Sequence, residues 1–424
     1  MPPTRTSKNT IGTIAVLVIA LFFGIIYTLS GSDPLGLFSK GQSSNPTLVS
    51  SETITAAKPA PTATVTGTIA APAATGAPAS SGGWWQVYFV TPRKITDALS
   101  QNYSTNGLPP DLMKGSITEK LIQHIDAAQK TIHIASFETD LNDVAKALIR
   151  AKQRGVDVRW ITDDENGITA DKKPGRGQFA MLVAAGIPVM DDKRGALMHD
   201  KFWLFDGKTV WTGSTNITVS GMFEQNNNVI AIDSPELAAI FESQFKDMWA
   251  GKFNAKSPSN INQQQISING TNIQVLFSPE DHAINNIIAY IQSAKKSIRF
   301  LAFSYTEDHL GTAMLDAQKK GVQISGVFES TGSDTQYSQM PPLYCAKNPV
   351  RQDGNPSFLH HKVIIIDERT VITGSLNFTD NADQNNNENV IIIDNADIAK
   401  LYTQEFDRDW AVAHDPDPGK IVCK

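Results

Sequence analysis

The sequence predicts an α/β protein built from two tandem αβα sandwich repeats. A pseudo-twofold axis relates them, and a single N-terminal membrane-spanning helix and a disordered stalk precede them. Three observations predict this. The chain aligns with itself over long blocks. In each copy, apolar strand-like runs alternate with segments of helical spacing. Almost everything before residue 84 has a composition that cannot build a core.

The elements follow in chain order. Ile11 to Leu29 is a run of 19 residues without a charge, close to the roughly 20 needed to span a bilayer. Arg5 and Lys8 precede it and Asp33 is the first charge after it. The positive-inside bias then keeps residues 1–10 cytoplasmic, makes 11–31 a signal anchor and exports the rest. A cleaved, secreted form is the alternative. Residues 32–83 are mostly Ser, Thr, Ala, Pro and Gly and read as a flexible linker. Folded sequence begins at Trp84-Trp85, with repeats expected over 84–256 and 257–424.

The repeats declare themselves by register. "MHDKFWLFDGKTVWTGSTNIT" from Met198 matches "LHHKVIIIDERTVITGSLNFT" from Leu359 at an offset of 161, which holds through Trp249 and Trp410. Upstream, "AAQKTIHIASFETD" matches "SAKKSIRFLAFSYT" at an offset of 166. The first copy carries an insertion within Arg93–Ser116. "ITEKLIQHIDAAQK" and "INNIIAYIQSAKK" have helical apolar spacing, whereas "TIHIASF" and "VDVRWIT" read as strands. That alternation implies a largely parallel or mixed sheet in each copy.

Composition narrows the function. Four of the 37 basic and two of the 43 acidic residues fall in the first 83, so the folded part carries 33 against 41, a net charge near −8. This is not the footprint of a chain built mainly to grip nucleic acid. The two cysteines, Cys345 and Cys423, show no zinc-type spacing. They are either unrelated thiols or one disulfide, the latter requiring a compartment outside the cytosol.

Each copy repeats the same polar residues on apolar strands. Copy one has His199, Lys201, Asp206, Gly213, Ser214 and Asn216; copy two has His360, Lys362, Asp367, Gly374, Ser375 and Asn377. Strand alternation puts each histidine and lysine on one face. His361 then points away, and Asp200 occupies its place in the other copy, so loss of His361 is expected to be mild. Asp206 and Asp367 fall on the opposite face and read as turn or ion-pair residues. Gly-Ser allows close backbone approach and Asn supplies an amide donor. Two imidazoles, two ammoniums and two amides suit a phosphodiester: one imidazole attacks phosphorus, the other protonates the leaving alkoxide, and the cations and amides hold the oxygens. A lysine beside each histidine disfavours a metal, and no metal or other cofactor is expected.

The pattern H-x-K-x4-D-x6-G-S-x-N, present twice, resembles the phospholipase D superfamily, over about 330 residues from Trp84 to Trp410. Members include phospholipases, cardiolipin synthases and a small nuclease that dimerises to complete its site. The resemblance implies His199 and His360 as nucleophile and general acid/base, with His199 the nucleophile, and Lys201, Lys362, Asn216 and Asn377 as phosphate ligands. Relatives of the nuclease and cardiolipin hydrolases carry an acid in "N-x-E-N", which copy two keeps as Glu388 and copy one replaces by Asn227. If Glu388 orients a histidine, the two imidazoles take different roles.

The expected activity is a metal-independent phosphodiesterase acting on phospholipid through a phosphohistidine. It would be membrane-anchored, with the catalytic part extracytoplasmic, and monomeric because both motifs lie in one chain. A nuclease of the same superfamily, a transphosphatidylase and a surface module with relic motifs are the alternatives.

Overall fold

The computed structural model describes residues 80–81, 83–253 and 264–423, all within one compact unit, Pro72–Lys424. The expected anchor over 11–31, nearly all of the stalk and the 256/257 repeat boundary lie outside them. No described helix is long and apolar enough to cross a membrane.

The first sheet contains β1 (Ser80–Ser81), β2 (Trp85–Phe89), β3 (Thr131–Ser136), β4 (Asp157–Thr162), β5 (Val189–Asp191), β6 (Lys201–Phe205), β7 (Thr209–Gly213) and β8 (Asn228–Asp233). Their order is β1-β2-β8-β7-β6-β3-β4-β5. The second contains β9 (Gln265–Ile268), β10 (Thr271–Ser278), β11 (Ser297–Ala302), β12 (Gln323–Phe328), β13 (Val350–Gln352), β14 (Lys362–Ile366), β15 (Thr370–Gly374) and β16 (Glu388–Asp394), in the order β13-β12-β11-β14-β15-β16-β10-β9. Both sheets are mixed: β3-β4-β5 and β11-β12-β13 run parallel, the remaining pairs antiparallel. One boundary is corrected. Ser80 and Ser81, expected in the stalk, pair with Val87 and Gln86 as an edge strand, and Gly83 at φ 82° takes the left-handed turn that glycine permits.

The motif strands are buried along their whole length, "KFWLF" and "KVIII" alike. Runs of this kind are buried on both faces. On the outer faces pack the helices Ile117–Ala127 and Asn142–Gln153 in the first repeat, and Ala283–Ser293 and Asp308–Lys319 in the second. Ser116 caps the first of these by accepting from Glu119 N, and Glu119 accepts in return from Gly115 N. Between the sheets lies a shared core. The closing helices Pro235–Trp249 and Ala396–Val412 bring Phe241, Phe245, Tyr402 and Phe406 against Phe202, Val363 and Ile391. Each fully buried side chain of this size contributes about 1.5–3 kcal/mol. The insertion in the first repeat forms the helices Asp97–Asn106 and Pro110–Met113.

Backbone bridges join the two motif ends. Met198 pairs with Asn387 and Asn226 with Leu359, so that each motif strand meets the β8 or β16 end of the other repeat. His199 N donates to Asn387 O and His360 N to Asn226 O, both at 2.9 Å. Of the two readings of the cysteines, the structure has the bridge: Cys345 and Cys423 form a disulfide. The tail it holds also exchanges two backbone hydrogen bonds between Gln352 and His414.

Candidate active site

The crossed bridges decide which residues meet. His199 directs Nδ1 at the carboxylate of Glu388, 2.8 Å from Oε2 and 2.9 Å from Oε1. His360 directs Nδ1 at Asn227 Oδ1, 2.9 Å away. Each histidine is therefore supported from the opposite repeat, one by a carboxylate and one by an amide. Asn227 Nδ2 is committed to Gly221 O and Gln225 Oε1, so its oxygen faces the ring and His360 Nδ1 carries a proton. A carboxylate only accepts, which sets the same tautomer in His199. Both Nε2 atoms are then left with the lone pair.

The motif serines and glycines support these partners. Ser214 Oγ donates to Asn227 Oδ1 at 2.8 Å. Asn386 Nδ2 donates to Glu388 Oε1 at 3.2 Å, and Ser375 Oγ accepts from Asn389 N, the residue after Glu388, at 2.9 Å. A Cβ on Gly213 would sit 2.2 Å from Asn228 O, and one on Gly374 2.1 Å from Asn389 O, so only glycine fits.

Lys201 Nζ donates to His199 O at 2.8 Å and Lys362 Nζ to His360 O at 2.7 Å. Each buried ammonium spends one of its three donors on the carbonyl of its own histidine. Phe137 packs edge-on against His199, with Lys201 Nζ 5.2 Å from its ring; Phe303 does the same for His360, with Lys362 Nζ at 4.7 Å. These two phenylalanines were not singled out in the sequence, although they recur at the 166 offset.

Burial lowers both imidazoles. For His199 it is partly offset by Glu388. For His360 it is reinforced by Lys362 and Lys201, and His360 falls well below its ordinary value. Burial alone would raise Glu388, but His199 and Lys201 hold it below the usual range. Burial brings Lys201 down to about 8, and burial with the charge of Lys201 takes Lys362 well down. An anion entering this site favours the charged forms that burial disfavours. Two lone pairs at Nε2, two ammoniums and a low-dielectric surround make an anion-binding site with a built-in nucleophile.

The other singled-out residues make no hydrogen bond to His199 or His360 among the described residues. Asn216 Nδ2 donates to Glu138 Oε1 at 3.1 Å, whereas the Asn377 side chain makes no hydrogen bond among the described residues. Asp206 accepts from the backbone N–H groups of Gln129, Lys130 and Thr131, and Asp367 from those of Lys295, Lys296 and Ser297. They pin the hairpin turn to the start of β3 or β11 and form no salt bridge among the described residues. The expectation for His361 is corrected. It points away from the site, but into a closed network: Nδ1 lies 2.9 Å from Asn228 Nδ2, and Nε2 lies 3.1 Å from Glu405 Oε1 and 3.5 Å from Asp409 Oδ2. Glu405 and Asp409 were missed because the closing helix brings them there from more than 40 residues away.

Known proteins resemble this chain in sequence and fold. The family model described as "Cardiolipin synthase, PLD-like domain" matches residues 121–249 and 287–410, more than half of the chain. A phospholipase D of Rickettsia prowazekii is 33% identical over 193 residues, covering 44% of this chain and 94% of its own. The human mitochondrial cardiolipin hydrolase is 34% identical over 130 residues, covering 31% and 52%. Phosphatidylserine synthase of Haemophilus influenzae superposes over 70% of this chain and 84% of its own, with a TM-score of 0.54 and 14% identity, a likeness of fold.

Proposed function

The chain belongs to the phospholipase D superfamily and is a phosphodiesterase of that kind, and on that premise we propose that it hydrolyses phospholipid headgroup esters through a phosphohistidine, without a metal. The observation that carries the mechanism is the crossed support of the two histidines. His199 attacks phosphorus through Nε2. The charge that develops on its ring is balanced at Nδ1–H by Glu388, which makes it the better nucleophile. His360 has only a neutral acceptor and lies near the ammoniums of Lys362 and Lys201. Once protonated it is the stronger acid and gives its proton to the leaving alkoxide. It then takes a proton from the water that releases the phosphoryl group. Lys201 and Lys362 stabilise the charge on the non-bridging oxygens throughout.

Phospholipid is favoured over nucleic acid by the names of the curated relatives and by the net negative charge of the folded part. A nuclease activity is the second reading, since the same site attacks any accessible diester. The N-terminal apolar run supports a membrane anchor with the catalytic part extracytoplasmic. The Cys345–Cys423 disulfide supports that compartment. Both motifs in one chain support a monomeric catalytic unit.

The test is a substrate panel with the purified chain: phosphatidylcholine, cardiolipin, single- and double-stranded DNA and bis-p-nitrophenyl phosphate, with His199→Asn and His360→Asn as controls. We expect lipid turnover that both substitutions abolish. Cleavage of DNA and the generic diester with lipids untouched would replace the lipid reading by the nuclease one.

A further inference from the structure

The two halves of the site differ twice, and in the same direction. In the first repeat the imidazole of His199 is backed by a carboxylate, and so is the amide of Asn216, through Glu138 Oε1 at 3.1 Å. In the second, His360 is backed by an amide, and Asn377 has no side-chain partner among the described residues.

Glu138 is itself held. Its Oε2 accepts from Arg176 Nη2 at 2.8 Å, and Arg176 Nη1 donates to Thr139 O at 3.3 Å. The loop that carries Arg176 is fastened by Asp171, which accepts from the backbone of Gly177, Phe179 and Ala180. Glu138 follows Phe137, whose ring packs against His199, so the clamp is built onto the wall of the nucleophile's half. The backbone scaffold beneath it is common to both repeats: Thr139 bridges Ile217, and Tyr305 bridges Phe378. Only the side-chain clamp is unique. Ser304 stands where Glu138 would be, and residues 330–339 contain no basic residue to replace Arg176.

An amide nitrogen has two hydrogens. One, spent on Glu138, fixes the plane of Asn216 and leaves the other aimed for a phosphoryl oxygen. An unpaired carboxylate there would repel the substrate, and the guanidinium removes that charge. We propose that Glu138 and Arg176 are a positioning pair that presets Asn216 for the phosphoryl group on His199, while the unclamped Asn377 adapts to the departing group. This rests on the phosphodiesterase reading above.

The pair separates kcat from KM. With the full chain and bis-p-nitrophenyl phosphate, Glu138→Ala frees the amide and lowers kcat by up to about a hundredfold, with KM nearly unchanged. Glu138→Gln keeps an acceptor for Asn216 and recovers most of that loss. Arg176→Ala uncovers the carboxylate and raises KM severalfold, an effect that disappears when Glu138→Gln is added. In an Asn216→Ala background, Glu138→Ala has no further effect, because residues acting through one group are not additive. Melting curves show which variants are folded; if Glu138→Ala is not, the Arg176→Ala and Glu138→Gln pair decides. Independent, additive losses, or a KM effect of Arg176→Ala that is the same with and without the added Glu138→Gln substitution, would overturn the pair while leaving the phosphodiesterase reading intact. An unsubstituted chain that cleaves no diester overturns both.

Discussion

His199 and Glu388 meet across the joint between the repeats, Nδ1 to Oε2 at 2.8 Å, with the carboxylate fully buried. The equivalent contact on the other side, His360 to Asn227, lacks the charge. Glu388→Gln keeps the shape and removes that charge. We expect kcat to fall by roughly a hundredfold or more, with little change in substrate affinity. Rapid quenching and mass spectrometry should find the phosphoryl group on His199 in the unsubstituted chain. Exchanging the partners, Glu388→Gln with Asn227→Asp, should move it toward His360. Equal loading of both histidines in the unsubstituted chain would contradict the division of roles.

His360→Ala and His361→Ala should fail in different ways. His360 belongs to the candidate site, and its loss should abolish turnover while the melting temperature changes little. His361 is fully buried and bonded at both ring nitrogens. Its removal leaves Glu405 and Asn228 short of a partner, a cost of about 1–3 kcal/mol for each buried group left unpaired. Thermal melting of the two variants separates these outcomes.

Inorganic phosphate, tested as a competitive inhibitor, should bind more weakly above about pH 8. Burial brings Lys201 down to about 8, and its ammonium is the form that holds a phosphoryl oxygen. Above that pH the folded protein loses the charge, so the inhibition constant for phosphate should rise. On the acid side, His199 must be neutral to attack, and burial has lowered it below its ordinary value. The acid limb should therefore lie below about pH 6.5, the ordinary histidine value. Phosphate inhibition that is undiminished beyond about pH 9 would rule out the ammonium requirement.

Chelators should leave the rate unchanged. Two groups among the described residues have metal-like spacing; in Asp163, Asp164 and Asp192 the last is paired with Arg194, and the other is His361, Glu405 and Asp409. Asn228 blocks it. Its Oδ1 accepts from Thr373 and Tyr402, so its Nδ2 faces His361 Nδ1, which must accept. The ring proton then sits on Nε2, the atom a metal would need. Activity lost in EDTA and restored by a divalent cation would overturn this.

Much of the molecule was legible because it was written twice. The register between Met198 and Leu359 exposed the repeats, and the matching of His360 with His199 rather than His361 marked the two histidines that the structure supports in the same way from opposite repeats. Phe137 and Phe303 recur just as plainly, but a phenylalanine after a strand reads as core, and only the packed rings against the histidines show otherwise. Glu138 and Arg176 have no counterparts in the second repeat, so no repetition could flag them.

The sequence by itself determined the two-repeat α/β architecture, the doubled set of His, Lys and Asn, and the inequality of Glu388 and Asn227. Which histidine owns the carboxylate was decided only in three dimensions. A tandem repeat reads the same whether each strand serves its own copy or the other. The parallel bridges Met198–Asn387 and Asn226–Leu359 break that tie. They satisfy the backbone N–H and C=O groups at the motif ends, which would otherwise be buried without partners. In doing so they place Glu388 beside the histidine that lies 189 residues earlier.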